Sequence, residues 1–115
     1  MKSLRDAVAV VTGASSGIGE AVAKMLAAEG ARVSLTARRE DELERVAGEI
    51  RRRGGEALVV PADMQDQKAA ERIVERTVQV YGPIEILVNN AGVYYTAPVH
   101  ALDMQQWDTT FSVNL

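Results

Sequence analysis

Apolar residues follow two rhythms along this chain. Short uninterrupted runs, such as Val8-Ala9-Val10-Val11 and Ile86-Leu87-Val88, alternate with longer stretches where apolar side chains recur every three or four residues. The first rhythm predicts strands covered on both faces, and the second predicts amphipathic helices. Strands are therefore expected over 7–11, 32–37, 57–60 and 84–89, and helices over 18–29, 40–53 and 66–81. The first helix is expected to turn Ile18, Val22, Met25 and Leu26 inward. The second offers Leu43, Val46, Ala47 and Ile50, and the third Ile73, Val74, Thr77, Val78 and Tyr81. Gly30, Gly54-Gly55 and Gly82-Pro83 stand where these helices should stop. A fourth helix is expected from about Asp103, with Gln106 as its capping partner and Trp107, Phe111 and Leu115 on one face. Strands separated by helices predict an α/β fold of parallel units joined by right-handed crossovers.

Composition narrows the possible partners. The chain has 115 residues, enough for one core and one domain. Its net charge of −3 argues against non-specific binding to nucleic acid or to an anionic membrane. With no cysteine there is no disulfide frame, thiolate metal site or cysteine nucleophile, which fits a cytoplasmic protein. No apolar run approaches membrane-spanning length. Leu115 falls inside the expected fourth helix, and the fourth strand would be an open edge of a buried-type sheet. Residues 1–115 therefore read as the front part of one larger domain, incomplete at its C-terminus and without a second domain.

The strongest chemical signal is Thr12-Gly13-Ala14-Ser15-Ser16-Gly17-Ile18-Gly19, between the first strand and the first helix. Gly13 can take a left-handed backbone without a Cβ penalty. Gly17 and Gly19 let a ligand and the helix approach the strand end. The helix start presents free N–H groups and the positive end of its dipole, which suits a pyrophosphate held by Ser15, Ser16, Gly17 and Ile18. The glycine spacing, G-x-x-x-G-x-G, departs from the G-x-G-x-x-G dinucleotide fingerprint, and a glycine turn can also serve structure alone.

Taken with Asp63, Asn89-Asn90-Ala91-Gly92 and Val113-Asn114-Leu115, this segment resembles successive landmarks of the classical short-chain dehydrogenase/reductase family, across essentially all 115 residues. The resemblance implies a Rossmann-type doubly wound parallel sheet of strand order 3-2-1-4. It also implies a nicotinamide cofactor and hydride transfer between that cofactor and a small-molecule carbonyl or alcohol substrate. Ala37 stands where NAD-preferring relatives place an aspartate, and Arg38 follows it. An arginine there can form a charge-assisted hydrogen bond to a phosphate, contributing roughly 1.5–3 kcal/mol, or roughly ten- to a hundredfold preference for NADP. The alternative is that Arg38 and Arg39 are solvated charges entering a Glu-rich helix. By resemblance Asp63 and the backbone of Met64 approach adenine; Asp63 could equally be a turn or N-cap residue. Asn90, Ala91 and Gly92 are assigned to the cofactor's ribose and nicotinamide, and Asn89 to structure.

Asn114 matches the family's catalytic asparagine, which holds a water in a proton relay. The family also needs a Ser and a Tyr-x-x-x-Lys pair. Tyr81, Tyr94 and Tyr95 are followed four residues later by Glu85, Pro98 and Val99, and the lysines are Lys2, Lys24 and Lys68. The chain by itself is therefore not expected to catalyse the reaction. His100 has no metal constellation around it, and Tyr94 and Tyr95 read as packing residues. The expected function is an NADP-dependent short-chain oxidoreductase of which this chain is the cofactor-binding front. The alternative is a non-catalytic NADP(H)-binding module or a remnant. The resemblance makes a homo-oligomer, dimer or tetramer, possible for the complete protein, but relatives assemble through their fourth and fifth helices and these residues lack the fifth.

Overall fold

Local sequence settles where each element begins and ends. In the computed structural model, which describes residues 4–90, the elements are β1 (Val8–Thr12), α1 (Gly17–Ala28), β2 (Arg32–Thr36), α2 (Glu40–Arg52), β3 (Glu56–Val59), α3 (Ala69–Tyr81) and β4 (Ile86–Asn89). The expected fourth helix lies outside the described residues, as do Ala91, Gly92 and Asn114. The three helices end at Gly30, Gly54 and Gly82, each at positive φ, as their stop signals predict. Helix α3 begins three residues later than its apolar spacing suggests. Asx turns occupy the gap: Asp63 accepts from the Gln65 amide at 2.9 Å, and Asp66 accepts from the Lys68 amide at 2.9 Å.

The strands form one parallel sheet in the order β3-β2-β1-β4. Register places Thr12 beside both Thr36 and Asn89, so three polar side chains line up at the carboxyl edge. Alternation along β1 feeds two cores. Ala9 and Val11 join Val33 and Leu35 under α1 and α2, packed on Leu26, Leu43, Val46 and Ile50. Val8 and Val10 join Leu87 beneath α3, packed on Ile73 and Val74. Helices on both faces explain why β1 is apolar at nearly every position. Each fully buried Val, Leu or Ile contributes roughly 1.5–3 kcal/mol by leaving water. Ser34, a buried polar residue in the middle of β2, accepts a hydrogen bond from Thr77 Oγ1 of α3 at 2.8 Å.

The inward face of α1 differs from the expected one. The helix buries Gly19, Ala23, Leu26 and Ala27, while Ile18 and Met25 are 61% and 58% exposed. The cause is the tight strand-to-helix turn. A Cβ at position 19 would run into the Gly13 carbonyl oxygen and sit 2.9 Å from Asn90 Nδ2. The helix therefore lies too close to the sheet for large side chains in its first turns, and small residues take the contact.

Candidate functional site

β1 delivers the chain to the carboxyl edge at Thr12, and Gly13 turns it out of the sheet with φ +62°. Gly17 returns it into α1 with φ +60°, and the space beside its α-carbon is open. Both values are left-handed and favour glycine. The Ala14 amide donates to the Thr36 carbonyl at 3.2 Å, tying the turn to the end of β2. Ser16 is the N-cap of α1 and makes no side-chain capping bond, so its side chain leaves the first-turn amides to another acceptor. The α1 dipole favours an anion at that end.

β4 closes the turn from the other side. Thr12 Oγ1 donates to Asn89 Oδ1 at 2.7 Å and accepts from the Asn90 amide at 2.9 Å. Asn90 Nδ2 donates to the Gly13 carbonyl at 3.4 Å. Asn89 is thus a buried structural partner, as expected, and Asn90 is a neighbour of the glycine turn.

A cleft of about 400 Å³ opens along this edge. Gly13 and Ser15 line it from the first turn, Ala37 and Arg38 from the end of β2, and Asp63 and Met64 from the end of β3. The last two pairs meet because strand-like pairing continues past the strands: the Ala62 amide donates to the Ala37 carbonyl at 2.9 Å. Ser16 and Ile18 lie exposed beside the cleft rather than in its lining, and Gly19 is buried behind the turn. The two arginines differ. Arg39 pairs with Asp41 at 3.4 Å, whereas Arg38 is exposed and has no ion-pair partner among the described residues. Asp63 is a turn residue and not the cap of α3, which starts at Ala69. The cleft thus joins a cation, a turn rich in backbone donors and a carboxylate at one strand edge, a donor set suited to a phosphorylated nucleotide.

One residue touching the turn escaped the sequence reading. Arg45 of α2 donates to the Ser15 carbonyl at 3.2 Å and to Glu20 of α1 at 2.9 Å. Only its Glu/Arg spacing within α2 was visible in sequence, and that points to an ordinary surface ion pair. Glu20 is held at a pKa of about 2, first by the hydrogen bond from Arg45 and then by that from Lys24. A second cavity, about 170 Å³, lies between α1 and α2 away from this edge; of its charged residues Lys24, Glu49 and Arg53, the first two pair with each other at 2.6 Å. Among the described residues no group of three or more His, Cys, Asp or Glu could hold a metal ion. No helix there is long and apolar enough to cross a membrane.

Comparison with known proteins agrees with this geometry. The short chain dehydrogenase family profile matches residues 7–115. A 2,3-dihydro-2,3-dihydroxybenzoate dehydrogenase from Bacillus subtilis is 41% identical over 113 residues, covering 98% of this chain and 43% of the relative. A metagenomic short-chain oxidoreductase solved in complex with NADP superposes with a TM-score of 0.74 at 42% identity, over 93% of this chain and 49% of that one. A short-chain dehydrogenase/reductase from Burkholderia phymatum solved in complex with NAD gives a TM-score of 0.76 at 32% identity, over 83% of this chain and 34% of that one. The chain thus spans less than half the length of these relatives. With a parallel sheet of order β3-β2-β1-β4, a glycine turn at its carboxyl edge and a family match over nearly every residue, this chain belongs to the short chain dehydrogenase family.

Proposed function

We propose that this chain is the NADP-binding front part of a short-chain oxidoreductase that interconverts a small-molecule carbonyl compound and its alcohol. The observation that carries the cofactor choice is Arg38, unpaired among the described residues, on a cleft wall where Ala37 replaces a ribose-binding acid. An acid at the end of β2 accepts from the ribose hydroxyls of NAD and repels a 2′-phosphate; an arginine does the opposite. Solved relatives are in complex with NADP in one case and NAD in another, so the choice rests on these residues.

In this reading Gly13, Ser15, Ser16, Gly17 and Ile18 surround the pyrophosphate, and Gly19 lets α1 close against the turn. Arg38 takes the 2′-phosphate, and Asp63 with the Met64 backbone takes adenine. Asn90, Ala91 and Gly92 border the ribose and nicotinamide, and Asn114 holds a relay water; the last three lie outside the described residues. When bound, the cofactor supplies or accepts a hydride, and these residues bind and orient it. A cytoplasmic setting belongs to this reading, and a chain without cysteine fits it. A non-catalytic NADP(H)-binding module is the second reading, favoured by the lack of a Tyr-x-x-x-Lys pair in these 115 residues.

Calorimetric titration with NADP and NAD tests the reading. The protein is expected to bind NADP more tightly. Arg38→Asp is expected to weaken NADP by roughly ten- to a hundredfold without weakening NAD. Equal NADP affinity in wild type and variant would remove Arg38 from the site, and binding of neither nucleotide by the wild type would sink the cofactor reading.

A further inference from the structure

The turn from Gly13 to Gly17 is bounded by two left-handed glycines and has few tethers. Gly13 is tied to Asn90, and Ala14 is tied to Thr36. Ser15, which lines the cleft, is held by neither of these bonds. Its carbonyl accepts from Arg45 Nη2 at 3.2 Å, across 30 residues of sequence. The same guanidinium grips α1 through Glu20 with both of its terminal nitrogens, at 2.9 and 3.2 Å. The planar fork supplies the two parallel donors of the bidentate Glu20 contact while Nη2 still reaches the Ser15 carbonyl.

We infer that Arg45 is a positioning residue for nucleotide phosphates, fixing the Ser15–Ser16 peptide through the Ser15 carbonyl. The inference rests on the nucleotide reading of the cleft. A trans peptide is planar, with its C=O and N–H pointing in opposite directions. Pinning the Ser15 carbonyl toward α2 therefore aims the Ser16 N–H away from α2. A free peptide would rotate, and the anion site would lose a preset donor. Arg45 does not act as an attractive charge. Glu20, Glu42 and Glu49 all pair with it, and with Lys24 as the second cation the cluster is net negative. Its contribution is geometric. It bears on the phosphates common to NAD and NADP, whereas Arg38 bears on NADP alone.

The test compares Arg45→Gln, Arg45→Lys and Lys24→Met in the full chain, titrated with NADP and with NAD. Lys24→Met removes the pairs to Glu20 and Glu49 from the same cluster without touching Ser15. Arg45→Gln is expected to weaken both nucleotides by the same factor, about three- to tenfold, because the lost bond preorganises the turn and does not itself touch the phosphates. Arg45→Lys keeps the charge, loses the fork and is expected to weaken both as well. Lys24→Met is expected to leave both affinities unchanged. Wild-type affinity in Arg45→Gln, full rescue by lysine, or an equal loss in Lys24→Met would each overturn the inference. Backbone ¹⁵N order parameters of the unliganded protein supply a readout independent of the cofactor. They are expected to fall at Ser15 and Ser16 in Arg45→Gln and to hold in Lys24→Met; unchanged values in both overturn the positioning role even if the wild type binds no nucleotide.

Discussion

A β-carbon at position 19 would collide with the Gly13 carbonyl, whereas one at position 17 meets nothing within 4 Å. The two glycines look equivalent in the motif and do different things. Gly17 is needed for its positive φ and for open space beside the turn. Gly19 is needed for close packing of α1 on the strand end. Gly19→Ala is expected to cost about 3 kcal/mol because the obstacle is backbone and cannot swing aside. Gly17→Ala is expected to cost about 1 kcal/mol from φ strain alone. Urea unfolding of both variants checks the order, and an equal or smaller loss in Gly19→Ala would mean that the turn relaxes. At this scale, the residues that line the cleft from strand ends were legible in sequence. Arg38, Asp63 and Met64 directly follow apolar runs, and strand ends on a parallel sheet share one edge. Arg45 was not legible, because its partner at Ser15 lies 30 residues away.

Among elements, the α1–α2 pair is joined by charge as well as by apolar contact. Lys24 bridges Glu20 and Glu49, both at 2.6 Å, and Arg45 bridges Glu20 at 2.9 Å. The carboxyl of Glu20 is drawn from its ordinary 4.5 to about 2 by the hydrogen bonds from Arg45 and Lys24. Glu49 is also lowered, chiefly by the hydrogen bond from Lys24. Both acids have a folded pKa below the unfolded one. Their stabilisation is fully present above about pH 4.5 and is lost as pH falls from there toward about 2. The side chains keep between 18% and 43% exposure, so solvent screening keeps the effect small. Urea midpoints measured at pH 7 and pH 3 are expected to drop less in Glu20→Gln than in wild type. An equal drop would place the acid-labile contacts elsewhere. Element type and order were legible from periodicity, but the inward face of α1 was not. Its large apolar residues suggested Ile18 and Met25, while the turn demanded Gly19 and Ala23.

For the molecule as a whole, the sheet order determines what the cleft can be. Order β3-β2-β1-β4 sets the glycine turn between Thr36 on one side and Asn89 on the other, so one ligand can reach residues far apart in sequence. Periodicity predicts four strands but does not rank them across a sheet; the order was expected from family resemblance and is present in the structure. Since the chain spans less than half of its relatives, the proposed oxidoreductase needs further residues for its proton chemistry. Intact mass of the product from its native source is expected to exceed 12.4 kDa, and peptide sequencing of the remainder to find a catalytic Ser and a Tyr-x-x-x-Lys. A mass equal to 12.4 kDa would discard catalysis and keep the binding-module reading.

Sequence alone determined the identity and order of the elements, the glycine turn, and the Ala37-Arg38 pair at the end of β2. Those features depend on local forces: side-chain periodicity, φ preference and the chemistry of adjacent residues. Only the tertiary structure decided the packing face of α1, the tie between Arg45 and Ser15, and the meeting of Arg38 with Asp63 and Met64 on one cleft. Each of these depends on how closely separate segments approach. That distance is set by backbone sterics at the turn and by the register of the sheet, which no window of local sequence contains.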